Sequence, residues 1–354
     1  MRIFNELRGV IRTRGGPMVR RSARWAAPPG IDARFLAPDH PRGRVIFTGF
    51  GRRGFAAKGK IDPARFLPPF VHALWRARVE TRFAATPDEL RAAMAGAPRP
   101  PCIVHIYDEE HETGSLARVD TLCAEAGLVF NSLATGAVIA RKDETNRRLA
   151  AGGVRVPPML DRLDPGETAF SNEIVGTGAK VRLVSGALDP TRYNTAFVDT
   201  RREHGDAEYH TTVRLMCVGS RPVAALVRAR SVQEGSPSVH NRDTPVDPDL
   251  IEHLHAVLIA GREAEFATLA KRVTAALGQG FFAHDLLIDR ETDEILVCET
   301  GLKFHDSTYH DHLRPAAARI PCLGAIYSPA FIEESAQALL AECAAAGCLS
   351  PTGR

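Results

Sequence analysis

A chain of 354 residues is longer than one hydrophobic core usually organises, so two or three packed lobes with a cleft between them are expected. Hydrophobic residues at 44% and charged residues at 25% exclude extensive disorder. A formal net charge of +3, with acidic residues interspersed among the basic ones, excludes a nucleic-acid-binding stripe.

In chain order, residues 1–43 read as an N-terminal extension that ends in the Pro- and Gly-rich PPGIDARFLAPDHPRG. RVIFTGF is the first clear strand. A helix-period stretch, PPFVHALWRARVETRF, follows it, then PDELRAAMAG as a helix with an acidic first turn, and CIVHIYD as a buried strand. DTLCAEAGLVFNS reads as a helix passing into a strand, and this alternation of apolar strands with helices predicts a parallel sheet. ATGAVIARKDETNRRLAAGG is one helix closed by two glycines. From about residue 168 to 232 the text turns to strands, KVRLVSG, TAFVDT, HTTVRLMCVG and RPVAALVRARS, joined by Gly, Asp and Pro turns as in an antiparallel sheet. The helix EAEFATLAKRVTAALGQG, a hairpin of FAHDLLID and EILVCETG, and the helix FIEESAQALLAECAAAG complete the chain.

Seven cysteines, none in a C-x-x-C pair, read as buried free thiols of a reducing compartment. There is no apolar run of about 18 residues, and the arginine-rich start lacks the apolar block of a secretory signal. The expectation is a cytoplasmic protein with no membrane partner. Only six of the 45 basic residues are lysines (Lys58, Lys60, Lys142, Lys180, Lys271 and Lys303), so each retained ammonium is worth inspecting where a guanidinium is the default.

The strongest local signal is the hairpin HDLLIDRETDEILVCETG, in which Asp285 opens one strand and Glu299 closes the next. The RETD turn would bring the two carboxylates together at one sheet edge. Such a pair of hard oxygen ligands suits Mg²⁺, which takes one or two protein carboxylates and completes its shell with phosphate and water. Two ordinary charged strand ends would look the same in the text.

The stretch VFNSLATGAVIARKDETNRRLAAGGVRVPPML resembles the ATP-grasp superfamily, with the carboxylate-amine ligases of the glutathione synthetase and RimK-like kind in view. There a strand and an Asn precede a helix bearing an ATP-binding lysine, and Lys142 stands at that position, 11 residues before Gly153. By the same resemblance Gly176 and Gly178, with Lys180 nearby, belong to a lid loop over phosphates, and Asp199 is a ribose contact. Arg214 and either Arg228 or Arg230 face phosphate, and Asp285 and Glu299 are the metal carboxylates. The implied architecture is α/β: a Rossmann-like lobe at 44–137, a small antiparallel lid at 138–205 and a C-terminal antiparallel lobe with the metal site at 206–354.

The implied reaction uses ATP and Mg²⁺, or Mn²⁺ in its place, to turn a small-molecule carboxylate into an acyl phosphate for attack by an amine or another nucleophile. A homodimer is compatible with it. A kinase acting on a hydroxyl would use the same parts, and a nucleotide-binding module without turnover is the reading from a different class.

The departures from the family pattern are specific. The Asn expected two residues after the second carboxylate is Gly301, the second ATP lysine is Asn172, and the hinge Glu is Ala196. After the hairpin, GLKFHDSTYHDHLRP gathers Lys303, His305, Asp306, His310, Asp311 and His312. Substrate contacts, a substitute metal ligand from His305 or Asp306, a separate zinc site and a hydrated loop are the alternatives for it. Finally, Gly49, Gly51 and Gly54 fit the dinucleotide fingerprint G-x-G-x-x-G, but no acidic residue follows about 20 positions on. The turn continues instead with Arg52, Arg53, Lys58 and Lys60, which suit an anionic substrate group better than NAD.

Overall fold

The structure, a computed structural model, describes residues 28, 30–50, 61–110, 117–176, 181–305 and 314–351. Four parallel strands, β1 (Gly43–Thr48), β2 (Val79–Ala84), β3 (Cys102–His105) and β4 (Leu128–Phe130), form the first sheet in the order β2-β1-β3-β4. β1 is buried along its whole length because both faces of this sheet are covered. Val45 and Phe47 enter one core and Ile46 the other, which is why the strand reads as an unbroken apolar run. Helix α1 (Leu67–Arg76) and helix α2 (Pro87–Met94) pack against β2, and α2 starts on a reciprocal capping box between Thr86 and Glu89. The stretch expected to be helical through Phe83 is helix only to Arg76. VETRF belongs to β2, where pairing with β1 overrides local propensity.

The helix expected over 134–153 is two, α3 (Leu133–Ile139) and α4 (Lys142–Ala151). Arg141 is extended between them, with φ −115° and ψ 112°. The break costs few hydrogen bonds: Thr145 Oγ1 donates to the carbonyls of Val138 and Arg141 at 2.9 Å each, and the Lys142 amide donates to Ile174 at 3.0 Å. As a result Lys142 sits at the first turn of α4 and not in mid-helix.

A three-stranded antiparallel sheet, β5 (Ala169–Asn172), β6 (Arg182–Val184) and β7 (Tyr193–Ala196), follows in the order β6-β5-β7. The expected strands KVRLVSG and TAFVDT survive only in these shorter pieces. β8 (Arg201–His204) pairs with β9 (Ala207–Val218), so the next sheet begins at Arg201, inside the stretch read as the lid. That five-stranded antiparallel sheet runs β10 (Arg221–Ser231), β9, β11 (Phe281–Ile288) and β12 (Ile295–Gly301), with β8 on β9. Its two faces feed the two hydrophobic cores. Met216, Val218 and Phe281 enter one, while Val213, Leu215, Cys217, Phe282 and Leu286 enter the other beneath α5 (Pro248–Leu258) and α6 (Glu263–Leu277). The expected α/β class holds: one parallel sheet and two antiparallel ones. Among the described residues no helix is long and apolar enough to cross a membrane.

Candidate active site

Asp285 and Glu299 are Cα partners across the β11–β12 hairpin, but the RETD turn does not achieve this alone. Ile288 pairs with Ile295, and an undisturbed register counted back from there would set Asp285 opposite Cys298 and turn Glu299 to the other face. A β-bulge between Asp285 and Leu286 takes up Cys298 as the extra residue, so Glu299 comes opposite Asp285. Asp285 therefore lies inside its strand, not at its opening as the sequence suggested. Two carboxylates share one edge of the sheet.

Asp285 is also the Cα partner of Arg214 on β9, on its other side. Arg214 Nε donates to Oδ1 at 2.7 Å and Nη2 to Oδ2 at 2.8 Å, a side-on fork, and Arg228 Nη2 lies 2.9 Å from Oδ1. The three side chains are 16%, 11% and 4% exposed. Burial alone would raise the Asp285 carboxyl, but the two guanidinium charges outweigh it and hold the group well below the usual carboxylate range. Glu299 responds in the opposite sense. Burial and the charge of Asp285 push its carboxyl up, and Lys142, Lys303 and Arg214 limit the rise.

Lys142, Thr145 and Asn146 of α4 face Val297, Cys298, Glu299 and Thr300 of β12 across a narrow cleft, with Ile139 and Leu149 as apolar lining. The Lys142 ammonium donates to the carbonyl of Gly176, which ends the described part of the loop after β5 at φ +103°. Asn146 donates from Nδ2 to Pro157 O and to the Tyr193 hydroxyl, both at 2.9 Å, and so fixes this wall against β7. One cleft thus holds the lysine and the second carboxylate, and the glycine loop is tied to it through the Lys142 ammonium.

The other predicted residues fall in several places. Arg230 is turned to Glu234, 2.9 Å away, and to Asp243, so of the two alternatives Arg228 is the one that reaches Asp285. Asp199 holds Arg201 through both oxygens, at 2.9 and 2.7 Å. Asn172 accepts the Glu173 amide at 2.8 Å within β5's end. His305 is 6% exposed, with its ring 5.1 Å from Phe66 and 6.1 Å from Phe331, centroid to centroid, inside an aromatic cluster. Lys303 pairs with Glu110 at 3.2 Å. Burial alone would lower its ammonium, but Glu110, Glu299 and Glu109 together hold it above its ordinary range, and it stays charged. Gly51, Arg52, Arg53, Gly54, Lys58, Lys60, Gly178, Lys180, Asp306, His310, Asp311 and His312 lie outside the described residues, so the fingerprint turn and most of the His-rich loop do too.

Glu109 and Glu110 were not singled out by the sequence reading, although a signal was available. DEE follows β3 after only Ile106 and Tyr107, and the carboxyl ends of parallel strands are where ligand crevices open. Cys298 was missed as well: of the seven cysteines it alone is exposed, at the cleft, whereas Cys102, Cys123, Cys217, Cys343 and Cys348 are buried as expected.

Among the described residues no three His, Cys, Asp or Glu side chains gather into a metal cage. The pair at Asp285 and Glu299 nonetheless fits Mg²⁺, whose protein ligands are commonly one or two carboxylates. Asp285 Oδ2 takes one arginine N–H and has a second lone-pair direction, and a cation would relieve the repulsion that raises Glu299.

No protein-family model matches the chain, and no curated protein matches its sequence. Solved structures do resemble it in arrangement, at low identity. A RimK domain protein, ATP-grasp, from Sphaerobacter thermophilus is 16% identical, with 84% of this chain and 99% of that chain covered at a TM-score of 0.43. The D-alanine–D-alanine ligase of Bacillus anthracis, complexed with ATP, is 10% identical over 85% of this chain and 99% of that one at 0.44. The N5-carboxyaminoimidazole synthetase of Staphylococcus aureus is 9% identical over 78% and 74% at 0.44.

Proposed function

We propose that this chain is an ATP-dependent ligase of the ATP-grasp kind, in which the cleft between α4 and β12 takes the triphosphate and Asp285 with Glu299 holds Mg²⁺ or Mn²⁺. The observation that supports it best is that Lys142 and Glu299 line one cleft, with the Gly176 carbonyl on the Lys142 ammonium and Asp285 brought opposite Glu299 by a bulge. A divalent ion bound there supplies charge neutralisation for the phosphates.

The chain's own residues supply the rest. Lys142 offers an ammonium to phosphate oxygens from the helix side in exchange for the Gly176 carbonyl it now holds. Arg214 and Arg228, kept in place by Asp285, present fixed positive charge on the sheet side, where catalysis of phosphoryl transfer is chiefly electrostatic positioning. In the proposed reaction a carboxylate oxygen of the substrate attacks the γ-phosphorus and ADP departs. The nucleophile then attacks the acyl carbon, the C–O bond to phosphate breaks, and an amine nucleophile loses a proton. Residues 44–137, 138–205 and 206–354 are taken as the lobes that bind substrate, cover ATP and hold the metal.

Calorimetric titration with a non-hydrolysable ATP analogue and Mn²⁺ tests the assignment. Glu299→Gln should lose metal-dependent nucleotide affinity, whereas affinity equal to wild type would remove the proposal. Phosphate release over a panel of carboxylates and amines separates a ligase from a module that is stabilised by ATP without turnover. Stabilisation by NAD and not by ATP would favour the dinucleotide reading.

A further inference from the structure

Glu299 and Gly301 stand two residues apart on one face of β12 where the strand ends, and Lys303 follows two residues beyond that end. The middle position has no side chain, and a carboxylate from another part of the chain stands over it. A Cβ placed at Gly301 would lie 3.6 Å from Glu109 Oε1. That oxygen accepts the Leu302 amide at 3.2 Å, and Glu109 is 2% exposed. The next carboxylate in the loop after β3, Glu110, pairs with the Lys303 ammonium at 3.2 Å, with the two side chains 13% and 26% exposed. Glu109 and Glu110 therefore bound a corner beside Gly301 whose cation is built into the chain.

We propose that the Lys303 ammonium permanently occupies this acidic corner, so that the chain binds a single divalent ion per nucleotide, at Asp285 and Glu299, and none beside Gly301. The proposal rests on the ATP and metal reading above. Its argument is one of ligand supply. A divalent ion needs several oxygens at fixed distances; Gly301 offers none, one Glu109 oxygen is spent on a backbone amide, and the Lys303 ammonium holds Glu110, so only removal of that ammonium releases the carboxylate a second ion would need. An ammonium has three N–H donors and no shell of its own to complete, so it suits a corner of spaced carboxylates. Tethered four residues from Glu299, it needs no recruitment from solution.

Electron paramagnetic resonance of Mn²⁺, with the full chain in excess over a non-hydrolysable ATP analogue, counts the ions without any requirement for turnover. Wild type should hold one nucleotide-dependent Mn²⁺ per nucleotide. Lys303→Met should uncover the corner and take a second, weaker ion, and Lys303→Arg should return the count to one. Two ions on wild type would overturn the proposal with no need of a variant. A count of one on a folded Lys303→Met protein would overturn it as well. Failure of wild type to bind any Mn²⁺ with nucleotide is a separate result, because it sinks the ATP reading itself.

Discussion

Removal of the charge at Asp285 should destabilise the protein in the absence of any ligand. Asp285→Asn leaves Arg214 and Arg228, 11% and 4% exposed, facing each other's charge across the place of their shared carboxylate. Neither guanidinium can escape by losing a proton. Breaking one partner out of a buried ion pair costs about 3–5 kcal/mol. The amide oxygen keeps one acceptor and Asp285 is 16% exposed, so the lower end, about 3 kcal/mol, is expected. That corresponds to a fall in melting temperature of roughly 4 °C, at about 1.3 °C per kcal/mol for a chain of 354 residues. The pH dependence has a definite sign. Asp285's folded-state carboxyl is held below its unfolded value, so its contribution is fully present above the ordinary carboxylate range and is lost only as pH falls through that range and below. Scanning calorimetry without nucleotide or metal should show a constant gap between wild type and Asp285→Asn from pH 8 to 5. Adding Arg228→Met should recover part of the loss, with a coupling above about 1 kcal/mol. A gap under about 1 kcal/mol, or one that widens with rising pH, would refute the ion-pair argument.

Lys142→Met should weaken nucleotide binding about 10- to 100-fold, the worth of a charged hydrogen bond of about 1.5–3 kcal/mol, and equilibrium dialysis reads it directly. Unchanged affinity would take Lys142 out of the site. Cys298 should be the cleft's chemical reporter: maleimide should modify it first among the cysteines, and an ATP analogue with Mg²⁺ should protect it in peptide mass spectrometry. Labelling indifferent to nucleotide would place ATP elsewhere. Gly136→Ala should destabilise by about 1–3 kcal/mol in urea unfolding, because its Cβ would fall 1.9 Å from the Tyr107 hydroxyl, which donates to Ser132 O at 2.8 Å.

The sheets were legible because their signals are local. β10 spans the same eleven residues, 221–231, as the strand read from RPVAALVRARS, and the parallel sheet's apolar runs follow from burial on both faces. The split between α3 and α4 was not legible, since a hydrogen bond from Lys142 to Ile174 and two from Thr145 decide it against continuous helical propensity. The carboxylate pair was visible as two acidic residues around a turn, but not the bulge that makes them face each other. Which charges pair with one another across the site has no local signature. Arg214 lies 71 residues from Asp285, and Glu109 and Glu110 lie 193 residues from their partners Leu302 and Lys303. Together these distant pairings set the electrostatics of the site before any ligand arrives. Asp285 is balanced by two guanidinium groups, Glu110 by Lys303, and Lys142 rests on a carbonyl. Under the proposed function, a triphosphate arriving with a divalent ion brings charges of both signs into a site already close to balance. Binding is then an exchange of partners among fixed groups, and such preorganisation spares the reorganisation that phosphoryl transfer would otherwise demand.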